Sequence, residues 1–250
     1  MPGTLRPTLS PTLLLVRPQA QALRQQAELA ALGINSLPFC ALDTVADATA
    51  LAALPQQAAH SDGVIFVSPS AIDIGWPVIA ASLPPGTLLA CVGSGSAGKL
   101  SALSGRPVIS PPQGNDSDAL LALPALQTVG GQQWLIVRGA GGRAQLGETL
   151  TARGAHVTLA DIYRRVPQAP DWAVFAQLQQ QGMLTGLLIA SSEAAEALFA
   201  TAGSTWRPVL AAQRFFTLHP RIAERLQQLG ASDIVLCDGS SPALAGLLAG

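Results

Sequence analysis

The sequence predicts an α/β protein of two similar lobes, each a doubly wound parallel sheet. Three observations point there. Short apolar runs alternate with amphipathic stretches along the whole chain, the signature of β/α units. The apolar runs are nearly continuous, as strands covered on both faces require. A degenerate duplication then divides the chain into two comparable halves.

Taken in order, the runs at 12–16, 64–67, 88–92, 134–137, 156–159, 187–190, 215–217 and 234–236 read as strands. Helices are expected at 19–32, 70–82, 96–104, 117–126, 143–153, 171–180, 192–202, 220–229 and 242–248. Each joins an apolar face to a polar one, and most follow a Ser, Asp, Gly or Pro that suits a helix start. Residues 1–11 are expected to form a flexible tail.

The duplication is visible in paired segments. Leu-Leu-Val-Arg17 leads through a helix to Gly33, and Leu-Ile-Val-Arg138 leads through a helix to Gly154 at the same spacing. Val64-Ile-Phe-Val-Ser68 is matched by Leu187-Leu-Ile-Ala-Ser191. Two arrangements satisfy this pattern. Tandem lobes would span 12–127 and 134–250. Alternatively the chain crosses over, giving one lobe of 12–36 plus 171–250 and another of 44–159, with linkers at 37–43 and 160–170. Pro38, Pro167 and Pro170 fall at those crossing points, where short Pro-bearing linkers are expected. Periodicity alone does not choose between the two.

Composition narrows the function. Of 250 residues, 49% are hydrophobic and 12% charged, with a net charge of -1. Ordinary soluble domains carry about 25% charged residues. Disorder is excluded, since it needs low hydrophobicity and high net charge. A basic nucleic-acid footprint is absent, and 4% aromatics leave little to stack bases on. The mean hydropathy of +0.36 raises the possibility of membrane insertion. The longest charge-free run, from Asp73 to Lys99, is broken by Gly75, Pro77, Pro84, Pro85 and Gly86 and cannot form one spanning helix. Without the pattern of a signal peptide, a soluble, cytoplasmic protein is expected. Cys40, Cys91 and Cys237 are scattered, form no CxxC pair and have no histidine at metal-ligand spacing, so neither a metal nor a disulfide framework is expected.

Chemistry-bearing residues gather at expected strand ends. Ser68-Pro69-Ser70, Gly93-Ser-Gly-Ser96-Ala97, Ser191-Ser192-Glu193 and Thr217-Leu-His-Pro220 each pass from a strand into a helix. In open α/β sheets ligands bind beyond the carboxyl ends of strands, and helix N-termini there attract anions. Any one such turn could be an ordinary N-cap. Four in matching places argue for an anion-binding cleft between the lobes. The run Gly93-Ser-Gly-Ser-Ala-Gly-Lys99 lacks the GxxxxGK[ST] spacing of a phosphate loop. Arg138-Gly-Ala-Gly-Gly-Arg143 sets two guanidinium groups around a Gly-rich turn, suited to carboxylates or simply to tight turning. Tyr163, the single tyrosine, adjoins Arg164 and Arg165 and could serve as a positioned proton donor.

Taken as an ordered series, these segments resemble the uroporphyrinogen-III synthase family. The series comprises Leu-Val-Arg17-Pro18, Gly63-Val-Ile-Phe-Val-Ser68-Pro69-Ser70-Ala71, Val92-Gly93-x-x-Ser96-Ala97 and Gly114-Asn115-Asp116-Ser117-Asp118-Ala119-Leu120-Leu121. It continues with Arg138-Gly139-x-Gly141-Gly142-Arg143, Arg153-Gly154-Ala155, Tyr163-x-Arg165, Pro220-Arg-Ile-Ala223 and Gly230, covering roughly 12–250. The resemblance implies two α/β lobes joined by a two-strand linker, with the chain starting and ending in the same lobe, which selects the crossover. It implies dehydration and cyclisation of hydroxymethylbilane to uroporphyrinogen III, with inversion of the last pyrrole ring and no cofactor. It implies Tyr163 as the catalytic acid, and Ser68, Ser96, Arg138, Gly139, Gly142, Ser191, Ser192 and Thr217 as substrate-binding residues. Ser96 stands where members often carry Thr, and Thr217-Leu218-His219 departs from the family's Ser/Thr-rich turn. A monomer acting on a small tetrapyrrole, without nucleic acid or membrane, is expected. The alternative is a noncatalytic two-lobe binding or regulatory protein for an anionic small molecule.

Overall fold

A computed structural model describes residues 10–113 and 116–248. Most of the expected tail 1–11, and Gly114 and Asn115 at the start of the Gly114-Asn115-Asp116-Ser117 segment, lie outside them. In chain order the elements are β1 (Thr12–Val16), α1 (Gln19–Ala31), β2 (Asn35–Pro38), β3 (Leu42–Ala46), α2 (Ala48–Ala59), β4 (Gly63–Phe66), α3 (Pro69–Ile79), β5 (Leu88–Cys91), α4 (Ser94–Ser104), β6 (Val108–Ile109) and α5 (Ser117–Leu121). A 3-10 turn at Pro124–Leu126 leads to β7 (Gln133–Gly139), α6 (Gln145–Ala152), β8 (His156–Pro167), α7 (Trp172–Gln180), β9 (Leu184–Ile189), α8 (Ser192–Thr201), α9 (Gly203–Ala211), β10 (Arg214–Thr217), α10 (Pro220–Gln228), β11 (Asp233–Leu236) and α11 (Ser241–Leu248).

The chain divides into two compact units, one holding residues up to Asp43 and from Val166 onward, the other Thr44–Arg165. The first is built on a five-stranded sheet in the order β11-β10-β9-β1-β2, with every neighbouring pair parallel. Alternation along β1 explains how it is covered on both sides. Leu14 and Val16 pack with Phe175, Leu198, Phe199 and Leu226 from α7, α8 and α10. Leu13 and Leu15 pack with Ala22 and Leu29 of α1 and Leu244 of α11. Successive side chains of a strand point to opposite faces, so an all-apolar strand needs helices on both.

The second unit is a six-stranded sheet in the order β3-β8-β7-β4-β5-β6. Strands β4 to β8 pair in parallel in that order. Val64, Phe66, Leu135 and Val137 face α2, α3 and α4 through Leu54, Ile72 and Leu100. Ile65, Trp134 and Ile136 face the other way, onto Leu120 and Leu121 of α5 and Leu146 and Leu150 of α6. Gly63 is required beside Trp134, since a Cβ there would come within 2.4 Å of the indole.

The segments 37–43 and 160–170, expected as strand-bearing linkers, carry parts of β2, β3 and β8. Several helix boundaries differ from the sequence reading. Helix α2 was not expected; it carries Pro55 inside it, although proline costs a helix interior about 3 kcal/mol. Helix α9 is masked in the sequence by Gly203 and Pro208 in the same way. The helix expected over 117–126 ends at Leu121, and Pro124 opens the separate 3-10 turn.

Candidate active site

Because its strands β4 to β8 run in parallel, the second unit gathers their carboxyl ends on one sheet edge. Phe66 stands level with Cys91 on one side and Val137 on the other, so the turns after β4, β5 and β7 share that edge. Ser68 caps α3, its Oγ accepting the Ala71 N–H at 3.0 Å, with Pro69 at the first helical position where its missing N–H does no harm. Gly93 precedes α4 without a side-chain cap, and half-buried Ser96 lies in the first turn. The first-turn N–H groups of α4 therefore face the edge without a side-chain acceptor from the N-cap, a favourable arrangement for an anion.

Tyr163 reaches this edge through an irregularity in β8. Arg138 pairs with Asp161, but the next residue, Gly139, pairs with Tyr163. One extra residue in β8 re-aims the side chains that follow, as bulges do. Ala160, Ile162 and Tyr163 consequently all join the same core cluster. Tyr163 is 1% exposed. Its ring lies across Gly139, where a Cβ would come within 2.5 Å of Cε2 and 2.7 Å of Cζ. Having crossed β7 over that glycine, the phenol ends 3.0 Å from Ser68 Oγ, beyond β4. The backbone fixes the tyrosine as well, its carbonyl accepting the Ala140 N–H at 2.7 Å.

The Gly-rich turn after β7 is held by Arg138. Its Nε donates to Asp161 at 2.6 Å, and its Nη1 donates to the carbonyls of Gly142 and Arg143 at 3.2 Å each. Gly141 takes a positive φ of 76°, which only glycine adopts without strain. A Cβ on Gly142 would lie 3.2 Å from the Gly139 carbonyl. The Arg138 guanidinium, expected to face substrate carboxylates, thus joins its own turn to Asp161 of β8. Arg143 is exposed and makes no ion pair among the described residues. Asp161 was not anticipated from the sequence. Its signal was available only through strand register, which sets it opposite Arg138.

The other expected residues belong to the first unit. Ser191 caps α8, accepting the Ala194 N–H at 3.1 Å, and Ser192 opens that helix, both half-buried. Thr217 differs from expectation. It is 0% exposed, and its hydroxyl donates to the Ile189 carbonyl at 3.1 Å, bridging β10 to β9. The β-branched side chain ends β10 inside the sheet, with the whole residue buried. His219, two residues on, caps α10 by accepting the Arg221 N–H.

Among the described residues no group of three or more His, Cys, Asp or Glu is placed to hold a metal ion. Burial raises the thiols of Cys40 and Cys91 from the usual 9.0 to about 11 and about 12.

The sequence profile of the uroporphyrinogen-III synthase HemD family matches residues 24–248. The chain belongs to this family. It is 34% identical over 222 residues to the uroporphyrinogen-III synthase of Escherichia coli (strain K12), covering 88% of this chain and 81% of that one. Its fold is shared with a mutant uroporphyrinogen III synthase from the extremely thermophilic bacterium Thermus thermophilus, at TM-score 0.60 and 17% identity, over 94% of this chain and 96% of the other. The uroporphyrinogen-III synthetase of Helicobacter pylori 26695 aligns over 95% and 98% of the two chains at TM-score 0.56 and 13% identity. No described helix is long and apolar enough to cross a membrane.

Proposed function

We propose that the protein is a uroporphyrinogen-III synthase, a hydro-lyase that closes hydroxymethylbilane to uroporphyrinogen III with inversion of the terminal ring. The observation that carries this reading is the family match across residues 24–248. The linear substrate must lose a hydroxyl as water and join the resulting methylene cation to the already substituted α-carbon of the terminal ring. That ring's old carbon–carbon bond then breaks, and its free α-carbon closes the macrocycle with release of a proton. These steps need one weak acid and firm control of ring geometry. Orientation alone can supply several kcal/mol, and a positioned acid about 10²–10⁴-fold.

Tyr163 is the acid in this reading. Its support is a phenol fixed by Gly139, Ser68 and the Ala140 N–H at the sheet edge. The acetate and propionate groups of the substrate suit helix N-termini: in the second unit the first turn of α4 with Ser96, and in the first unit the start of α8 with Ser191 and Ser192. Each contact is worth about 0.3–1 kcal/mol when exposed, so several act together. Gly139 and Gly142 shape the turn, and Arg143 offers the open guanidinium beside it. The enzyme works as a cytoplasmic monomer. A noncatalytic binding role is not favoured, since the relatives carry the synthase name.

The deciding experiment incubates purified protein with freshly generated hydroxymethylbilane and resolves the uroporphyrin isomers by chromatography. Isomer III is expected as the main product. Isomer I alone, as in spontaneous closure, overturns the reading.

A further inference from the structure

A proton donor must touch its acceptor, and the phenol of Tyr163 is 1% exposed. Its hydroxyl faces Ser68 Oγ at 3.0 Å. Ser68 is half-buried and stands at the carboxyl-end edge where the turns converge. We propose that Ser68 is the catalytic residue that hands the proton to the substrate and that Tyr163 resupplies it from behind. This rests on the synthase reading above.

The valences of the serine fit this task. A hydroxyl has one proton to give and two lone pairs to receive with. One lone pair takes the Ala71 N–H at 3.0 Å, which holds the Oγ in a fixed direction at the start of α3. The second can take the Tyr163 hydroxyl, leaving the serine proton free to point outward. Helix α3 thus supplies the rigid mount, and the N-cap geometry sets the serine rotamer.

The transfer balances. The Tyr163 Oη–H bond breaks as Ser68 Oγ gains that proton. In the same event the Ser68 Oγ–H bond breaks, and the proton passes to the substrate hydroxyl. The carbon–oxygen bond then breaks with its electron pair on oxygen, releasing water and leaving a cationic methylene-pyrrole and a tyrosinate. The already substituted α-carbon of the terminal ring bonds to this methylene, and its old carbon–carbon bond breaks to leave a second methylene-pyrrole cation. The ring's free α-carbon closes on that cation, and the proton it sheds returns through Ser68 to Tyr163, restoring both hydroxyls. Concerted passage avoids any free serine alkoxide.

The test uses the whole chain and four variants: Ser68→Asn, Ser68→Gly, Ser68→Thr and Tyr163→Phe, with the double variant Ser68→Asn/Tyr163→Phe. Asn caps a helix about as well as Ser, and Gly costs only a few tenths of a kcal/mol at that position, so both keep α3 folded while removing the hydroxyl. Isomer III formation gives kcat and KM, and thermal melting checks the fold. Ser68→Asn and Ser68→Gly are expected to lower kcat at least about 10-fold, in the lower part of the range for a positioned acid, with KM changed less than about 2-fold. Tyr163→Phe should fall equally, the double variant no further, and Ser68→Thr should recover most of the rate, since groups acting as one unit are non-additive. A rise in KM with kcat unchanged makes Ser68 a binding group and overturns the proposal. So does a full rate in Ser68→Asn with a loss in Tyr163→Phe, which would leave the phenol acting alone. A double variant worse by the product of the two single losses also overturns it. An unaltered Tyr163→Phe removes both residues from the proton path while the synthase reading stands, and absence of isomer III from the parent protein removes that reading itself.

Discussion

Gly139 lies directly beneath the ring of Tyr163: a Cβ on the glycine would come within 2.5 Å of the tyrosine Cε2. The two are cross-strand neighbours on β7 and β8, and the missing side chain is what lets the phenol cross to Ser68. Gly139→Ala is expected to force the ring aside. Overpacking of this kind costs about 1–3 kcal/mol, readable by urea denaturation, and isomer III formation should fall at least about 10-fold, as for loss of a positioned acid.

Tyr163→Phe keeps the ring seated and removes only the hydroxyl. Its stability cost should be about 1 kcal/mol, that of one hydrogen bond. A much larger loss in the melting curve would mean that the hydroxyl serves mainly to hold α3 against the sheet.

Arg138 and Arg143 flank the same turn but should behave oppositely. Arg138→Lys loses the planar fork that serves Asp161 and two carbonyls together. It should destabilise the protein by about 1–3 kcal/mol, as charged hydrogen bonds do. Arg143→Ala should leave stability within about 0.5 kcal/mol, as at other exposed positions, and raise KM. Chemical denaturation and steady-state kinetics on both variants separate these outcomes.

Thr217→Val removes the hydroxyl that bonds the Ile189 carbonyl. A buried carbonyl left without that donor costs about 1–3 kcal/mol. Because the side chain is dry, kcat/KM should stay within about 2-fold, the equivalent of about 0.5 kcal/mol. A loss of activity without loss of stability would restore Thr217 to the binding set.

Cys91 is fully buried, and its thiol is raised from 9.0 to about 12. The folded state therefore holds the proton more tightly than the unfolded chain does. Its stabilising effect is complete below 9.0 and is lost as pH climbs toward 12. Cys91→Ala should show a shallower fall of Tm above about pH 9, where a free thiol begins to ionise. The cavity left by the sulfur lowers Tm at neutral pH, so the comparison is of slopes.

Much of the fold was legible because β1, β4, β7 and β9 are apolar on both faces, and only a parallel sheet with two helix layers buries such strands. Helices α2 and α9 were not, since Pro55 and Pro208 argue locally against what tertiary packing enforces. At the site, the Ser68 cap was readable from Ser-Pro-Ser. Its bond to Tyr163 spans 95 positions and depends on the bulge in β8, a property of register that no local pattern carries. The engagement of Arg138 with Asp161 was hidden for the same reason. The inward turn of Thr217 was not legible because a hydroxyl at a strand end can face a neighbouring carbonyl as readily as solvent.

The order of elements also has a consequence for synthesis on the ribosome. Strand β1 lies between β2, made almost at once, and β9, made only after all of Thr44–Arg165. The contiguous unit can complete its sheet while the chain is still being extended. The discontinuous one must wait with β1, an apolar strand whose partner on one side does not yet exist. Its long-range pairing makes it the slower to fold, and that nascent, half-paired edge is where a chaperone would find its hold.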